Sequence, residues 1–257
     1  MPLFVPQRLG AVVRSLRLYH GDPARSRAMR RLYRQFVRPG DLVFDVGAHV
    51  GDRTLAFRRL GARVVALEPQ PDMARTLRLV AGWRSRVTIV EAAVGRAPGV
   101  LTLHLNRRNP TISTASRAFV QAAEGAAGWA DERWDTSVEV PVTTLDALIE
   151  RFGRPAFVEI DVEGFEAEVL AGLSSPVPAL SFEFTTIQRD VAHAALDRLE
   201  ALGNWRFDAA LGESQRLVFG NPVEGPELRR WLDSLPPSAN SGDVYAFGAV
   251  PAATRAL

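Results

Sequence analysis

Carboxylates recur at one kind of position in this 257-residue chain: the end, or nearly the end, of a short apolar run. Asp45 ends "LVFD", Glu68 ends "RVVALE", Asp161 ends "AFVEID", and Glu183 stands close to the end of "ALSFEF". A carboxylate entering an apolar layer is costly unless it meets a cation or several hydrogen-bond donors. One such acid is readily explained as the cap of the helix that follows, since acids favour helix N-termini; four in equivalent places favour convergence on a ligand. Two glycines follow the first acid, Gly47 and Gly51 in "DVGAHVG". A dinucleotide site would read G-x-G-x-x-G and set a pyrophosphate on the helix N-terminus. Here His49 stands where the middle glycine belongs, and a carboxylate opens the turn.

The elements that must carry these residues alternate. The runs "LVFD", "RVVALE", "RVTIVEA", "AFVEID" and "ALSFEF" are separated by helical patterns over 52–60, 71–81, 144–152, 164–173 and 189–202. Such alternation predicts βαβ units, hence an α/β fold with a mostly parallel sheet covered on both faces. Ligands then bind outside the carboxyl ends of the strands, which is where the acids collect. Glu68 follows Asp45 by 23 residues at the end of the next run, a position from which an acid hydrogen-bonds two ribose hydroxyls. A ligand with ribose hydroxyls and positive charge but no phosphate satisfies both features, and S-adenosylmethionine is such a ligand. Two regions break the rhythm. Residues 99–142 read as extra strands, "GVLTLHL" and "TSVEVPV", around a long polar loop suited to a lid or substrate wall. Near the C-terminus "NWRFDAAL", "QRLVFG" and "DVYAFG" read as strands and "GPELRRWLDSL" as a short helix.

All 31 basic side chains are arginine, a usage expected of a GC-rich bacterial genome, and there is no cysteine to form a disulfide or a thiolate zinc site. The total charge is +2, yet residues 1–40 hold nine arginines against Asp22, a balance of +8 that leaves −6 for the remainder. In "RSRAMRRLYRQFV" Met29, Leu32, Tyr33, Phe36 and Val37 fall at helical spacing with arginines on the other faces. That helix either packs on the body with solvated arginines or serves as an arm for an acidic membrane surface, nucleic acid or a partner. No apolar run reaches membrane-spanning or signal-peptide length, which leads to the expectation of a cytoplasmic protein. The boundaries read as a basic helical extension over 1–40, one domain over 41–250 and a tail over 251–257.

The segments "RPGDLVFDVGAHVGDRTLAF", "VVALEPQP", "VEAAVGRAPGVLTLHL", "VPVTTLDALIERFG" and above all "FVEIDVEGFEAEVLAGL" resemble the FkbM family of methyltransferases, over roughly residues 38–250. The resemblance implies a seven-stranded class I S-adenosylmethionine-dependent sheet of order 3-2-1-4-5-7-6 with the last strand antiparallel, and O-methylation of a hydroxyl on a sugar, lipid or secondary metabolite. It implies cofactor binding by Asp45, Gly47, His49, Gly51, Glu68 and Glu91, with Asp45 and Gly47 along the methionine moiety and Glu68 on the ribose. Glu91 either reaches the adenine amino group or faces solvent. Thr54, Ser113, Thr114 and Ser116 match family positions that packing and loop composition explain as well. Asp161, with Glu163 in support, takes the place of base or acceptor-orienting residue. The chain departs from the family at His49, where Asn is usual, and at Glu159, where Lys is usual.

No metal is expected; Asp161, Glu163 and Glu183 are the oxygen ligands that a Mg²⁺ variant would use. The expected partner is a small-molecule or glycan acceptor, with Trp129, Trp134 and Trp231 available to stack on it, and with peripheral membrane contact through the basic helix as a further option. An RNA methyltransferase or nucleic-acid binder using the basic arm, a nicotinamide-dependent oxidoreductase and a scaffold that lost its chemistry are the competing classes. Nucleic acid is not the favoured partner, because no RNA-binding aromatic motif accompanies the arm.

Overall fold

A computed structural model describes residues 7–83 and 85–248. The apolar runs become parallel strands: β1 (Leu42–Val46), β2 (Arg63–Leu67) and β3 (Val87–Val90) from the first half, then β7 (Phe157–Ile160) and β8 (Ala179–Thr185). With β9 (Trp205–Leu211) and β10 (Ser241–Gly248) they form one sheet of order β3-β2-β1-β7-β8-β10-β9. Counted among themselves these strands run 3-2-1-4-5-7-6, and β10 is antiparallel to both of its neighbours. The order reverses between β1 and β7, placing the binding crevice where their carboxyl ends meet. The intervening β4 (Ala93–Val94), β5 (Gly99–Leu105) and β6 (Thr136–Thr143) make a separate sheet of order β4-β6-β5.

Helices cover both faces because the strands are apolar on both. One face packs on α6 (Leu145–Phe152), α7 (Glu166–Ala171), α8 (Arg189–Leu202) and α9 (Gly225–Ser234), through residues such as Phe44, Ile160, Leu180, Leu196 and Phe207. The other packs on α2 (Pro23–Tyr33), α3 (Asp52–Arg59) and α4 (Pro71–Leu77), and there Tyr33, Phe36 and Phe57 surround Phe157. Asp22 caps α2 by accepting from Ala24 N at 2.7 Å and Arg25 N at 3.2 Å, with Pro23 in the first turn. Met29, Leu32, Tyr33 and Val37 are buried while Arg27, Arg31, Arg34 and Arg38 face solvent. The basic helix is therefore packed onto the sheet with solvated arginines. Ahead of it α1 (Gln7–His20) lies against the Pro110–Ile112 turn, and no described helix is long and apolar enough to cross a membrane.

One expectation is corrected. The segment 215–220, "QRLVFG", is not a strand: Asp208 accepts from Phe219 N at 3.0 Å, and only isolated contacts such as Val218 N to Ala209 O, 2.8 Å, tie it to β9. The long polar loop lies between β5 and β6, as expected, and carries structure of its own. It holds a short 3₁₀ turn and α5 (Arg117–Ala123), and Ile112, Phe119, Ala123 and Trp129 give it a small core of its own. The tail assigned to 251–257 lies outside the described residues.

Phe157 is fully buried among three other aromatic rings that join α2 and α3 to the sheet. Phe157→Ala should lower the free energy of unfolding by about 3–5 kcal/mol, whereas Leu18→Ala, at a position 62% exposed, should change it by less than about 0.5 kcal/mol. Denaturant unfolding of the two variants checks both values.

Candidate active site

Side chains two residues apart on a strand share a face, and neighbours in register across a sheet do as well. Asp45 pairs with Glu159, Glu159 with Ser181, and Ser181 with Tyr245, all on the face covered by α2 and α3. Two residues further along, Asp161 follows Glu159 and Glu183 follows Ser181, with Asp243 opposite Glu183 in the antiparallel β10. The face is apolar at the amino ends of the parallel strands and acidic at their carboxyl ends.

The glycine turn is shaped by what lies beneath it. Gly47 and Ala48 donate to Leu67 O at 3.0 and 2.9 Å, folding the turn over the end of β2. Gly47 has φ 87°, and a Cβ there would fall 1.8 Å from the Asp161 carbonyl oxygen, so only glycine lets the turn lie on β7. His49 has φ 46°, a conformation in which Asn, Asp and His are enriched, which accounts for His in place of Asn. Its N–H donates to Glu68 Oε2 at 2.8 Å, and Gln70 N donates to Glu68 Oε1 at 2.7 Å, so Glu68 is aimed into the crevice by two backbone donors. Asp45 accepts from the Thr54 hydroxyl, while its Oδ1 is buried without a partner.

Beyond the turn stands Arg53, a residue the sequence reading passed over. From the first turn of α3 its Nε lies 2.8 Å from Glu159 Oε1, Nη1 3.1 Å from Asp161 Oδ2 and Nη2 3.6 Å from Asp243 Oδ1. Asp161, Glu163 and Glu183 each offer an oxygen within 4.8 Å of the others'. Glu163, at φ 56°, is 6% exposed, and its backbone carbonyl accepts from Thr114 Oγ1 at 2.6 Å. Glu159 is 1% exposed and does not line the crevice.

The structure gathers Asp45, Gly47, His49, Glu68, Asp161, Glu163 and Glu183 around one cavity of about 330 Å³. It does not bring Gly51 or Glu91 there. Gly51 starts α3 at φ 82°, where a Cβ would meet Leu77 Cδ1 at 2.5 Å, so its place is in helix packing. Glu91 is exposed and paired with Arg78, the solvent-facing alternative. Ser113 and Trp129 reach the cavity; Thr114 and Ser116 hold the flap instead, Ser116 capping α5 through Phe119 N at 3.0 Å. Trp134 ties down Ile112 O at 2.7 Å, and Trp231 packs with Phe184 and Phe219 in the opposite core. Tyr19 of α1 also walls the cavity, edge-on to His49 with ring centroids 5.4 Å apart.

Burial dominates the protonation of these groups. It pushes Asp45 up to about 6, although the Thr54 hydroxyl and Arg53 pull the other way, and Glu68 up to about 7 against its two backbone donors. Burial likewise raises Asp243 and Glu166 to about 7 and lifts Glu159, Glu163 and Glu183 well above the carboxylate range. It lowers His49 to about 4, leaving a neutral ring. Asp52 is the exception: Arg53 and then Arg25 overcome its burial and hold it below the ordinary range.

Among the described residues the crevice is lined by eight carboxyl groups and a single arginine, a poor place for a pyrophosphate and a good one for a cationic nucleoside. Its volume lies within the range of ligand pockets, and the unpartnered Asp45 Oδ1 and the aimed Glu68 are acceptors without full sets of donors. Together with the strand order, this is the architecture of class I S-adenosylmethionine-dependent methyltransferases. The chain belongs to the FkbM family: the methyltransferase FkbM domain matches residues 45–235. Among characterised relatives, it is 27% identical over 169 residues to the hexuronic acid methyltransferase AglP of Haloferax volcanii, covering 65% of this chain and 62% of that protein. The chain thus matches less than two thirds of that relative's length. A shorter match, 46% identity over 59 residues, is to ribosomal RNA small subunit methyltransferase A of Anaeromyxobacter dehalogenans, 23% of this chain and 20% of that one. Similar solved structures include an O-methyltransferase from Bacillus cereus in complex with SAH, at 12% identity and TM-score 0.46, covering 96% of this chain and 93% of that one. Another is a precorrin-6y C5,15-methyltransferase from Geobacter metallireducens, at 16% identity and TM-score 0.41, covering 87% of each chain.

The raised carboxyls tie stability to pH. Each binds more protons folded than unfolded between its ordinary pKa and its raised one, so the unfolding free energy falls as pH rises through that interval. With Asp45 near 6 and Glu68, Glu166 and Asp243 near 7, the ligand-free protein should lose stability from about pH 4 to pH 7. Thermal midpoints that fall across this range, and fall less in Glu68→Gln, are the expected result of calorimetry.

Proposed function

We propose that the chain is an S-adenosylmethionine-dependent O-methyltransferase acting on a hydroxyl of a sugar, lipid or secondary metabolite. The observation that carries this reading is the meeting, in one cavity, of two separate sets of acids: Asp45 and Glu68 at the glycine turn, and Asp161, Glu163 and Glu183 beyond it. Glu68 accepts the ribose hydroxyls, and Asp45 with the Gly47 turn lines the amino-acid portion. When bound, the cofactor supplies an electrophilic methyl group on a sulfonium. The flap around Ile112 and Ser113, together with Trp129, closes over the acceptor and limits water.

The acceptor oxygen must lose its proton as it attacks the methyl carbon. Asp161 takes that proton, being a carboxylate at the junction of the two sets and 20% exposed to the cavity. Alignment of the acceptor against the methyl group supplies most of the remaining acceleration. Glu183 lies beside Asp161, each offering an oxygen within 4.8 Å of the other's, and burial raises both groups above the ordinary carboxylate range. The match to a hexuronic acid methyltransferase supports a sugar-derived acceptor within that range. Carboxylate walls tell against a phosphodiester acceptor, whose charge they would repel.

Two substitutions separate the roles. Glu68→Ala should weaken S-adenosylmethionine binding by roughly ten-fold or more, as loss of a charged hydrogen-bond pair predicts; unchanged affinity by calorimetry would remove Glu68 from the ribose site. Asp161→Asn should cut turnover by about 10²-fold or more with little effect on cofactor affinity. Methyl transfer from labelled cofactor to a panel of glycans and hydroxylated metabolites provides both the acceptor and the rate.

A further inference from the structure

Arg53 answers for only part of the acid gathered on the cavity wall. Its nitrogens reach Glu159, Asp161 and Asp243, while among the described residues neither Glu163 nor Glu183 has an arginine or histidine partner. Glu163 is 6% exposed, and among the described residues its carboxyl group has no hydrogen-bond partner: the bond from Thr114 Oγ1 ends on the backbone carbonyl. Glu183 Oε2 is likewise buried and unpartnered. The turn that carries Glu163 is held from two sides. Glu166 Oε1 accepts from Val162 N at 3.2 Å and from Gly164 N at 3.1 Å, and Thr114 fastens the carbonyl between them. From that fixed backbone the Glu163 side chain is directed at Asp161 and Glu183, and the three groups each present an oxygen within 4.8 Å of the others'. The Asp161-x-Glu163 spacing is commonplace in sequence; Glu183, brought alongside by β8, completes the set.

We propose that Asp161, Glu163 and Glu183 form a binding site for one hard divalent cation, of the Mg²⁺, Mn²⁺ and Ca²⁺ class, in place of the metal-free site expected from the sequence. Buried carboxyl groups without donors or a counter-charge are costly, and a cation between them removes that cost. Opposite oxygen ligands of Mg²⁺ or Ca²⁺ stand about 4–5 Å apart, so an ion among these three groups requires little movement. Ligands that are all carboxylate oxygens select hard cations over softer metals. All three groups line the cavity, which leaves the remaining positions on the ion open to water or to a hydroxyl. The eight carboxyl groups of that lining supply negative charge for this ion as well as for a sulfonium. The site itself does not depend on the methyl-transfer reading, but it deepens it: a hydroxyl drawn onto the ion gives up its proton more readily. Asp161 Oδ2 faces Arg53 Nη1 at 3.1 Å, and a carboxylate has about four lone-pair sites, so ligation leaves it capacity to take that proton.

Titration of the full chain with Mn²⁺, followed by electron paramagnetic resonance without cofactor or acceptor, tests the site directly. The chain should bind a single Mn²⁺ that Mg²⁺ or Ca²⁺ displaces. Glu163→Gln and Glu183→Gln should each weaken binding by about tenfold or more, at least what loss of an outer-shell partner costs. Glu124→Gln, at an exposed position of the flap, should leave it unchanged. Should the buried variants fail to fold, the wild-type chain labelled with ¹³C in its glutamate carboxyl groups still decides the matter, because ligating carboxylates couple to bound Mn²⁺ in electron–nuclear double resonance. Failure to bind Mn²⁺ at about 1 mM, the weak end of protein sites for such ions, overturns the proposal and leaves a cluster that only shares protons. Binding that is equal in both glutamine variants and the wild type, or that shows no ¹³C coupling, places the ion elsewhere and overturns it as well. A chain that binds the ion at these residues yet methylates no hydroxyl upholds the site and counts against the methyl-transfer reading alone.

Discussion

One guanidinium holds the carboxyl edge of this sheet together. Glu159, Asp161 and Asp243 come from strands β7 and β10, and their oxygens crowd a region from which water is largely excluded. Burial raises all three above the ordinary carboxylate range, and Arg53 is the largest influence against it in each case. Arg53 reaches them because α3 begins directly after the glycine turn, so the feature that opens room for a nucleoside also delivers the counter-charge. Binding crevice and ion-pair network are consequences of a single β1–turn–α3 unit.

The same sheet face changes character along its length. On β7 the alternate residues run Phe157, Glu159, Asp161; on β8 they run Ala179, Ser181, Glu183; on β1, Val43, Asp45, Gly47. The apolar half buries α2 and α3 and supplies most of the stability on that side, while the polar half supplies the chemistry. Strands of four to seven residues are long enough to hold both.

That gradient is why so much was legible beforehand. Runs ending in acids revealed the strands, their common direction and the convergence of Asp45, Glu68, Asp161 and Glu183. What escaped notice had physical reasons for doing so. Asp243 begins its run instead of ending it, because β10 is antiparallel and its amino end lies at the carboxyl edge of the others. Arg53 was one arginine among 31, and only the geometry of α3 distinguishes it from the solvated majority. Glu159 looked like a charge reversal at the crevice, yet it is sealed beneath Arg53, so cation and anion sit on different elements from those a linear comparison suggests. The resemblance placed Gly51 at the ligand and left Glu91 between ligand and solvent, and neither motif reveals that Leu77 occupies the space above one and Arg78 the space beside the other.

The placement of α1 bears on how a small molecule enters and leaves. Tyr19 stands against His49 and Thr111, and His20 Nε2 lies 2.9 Å from Val50 O, so this helix rests on the nucleoside end of the crevice like a latch. It buries Ala11 and Ser15, and Gly21 with Asp22 forms the joint between it and α2. Because Tyr19 walls the cavity beside His49, α1 completes the enclosure on a side that the sheet and its loops do not cover by themselves, so an N-terminal segment outside the strand–helix alternation forms part of the binding chamber.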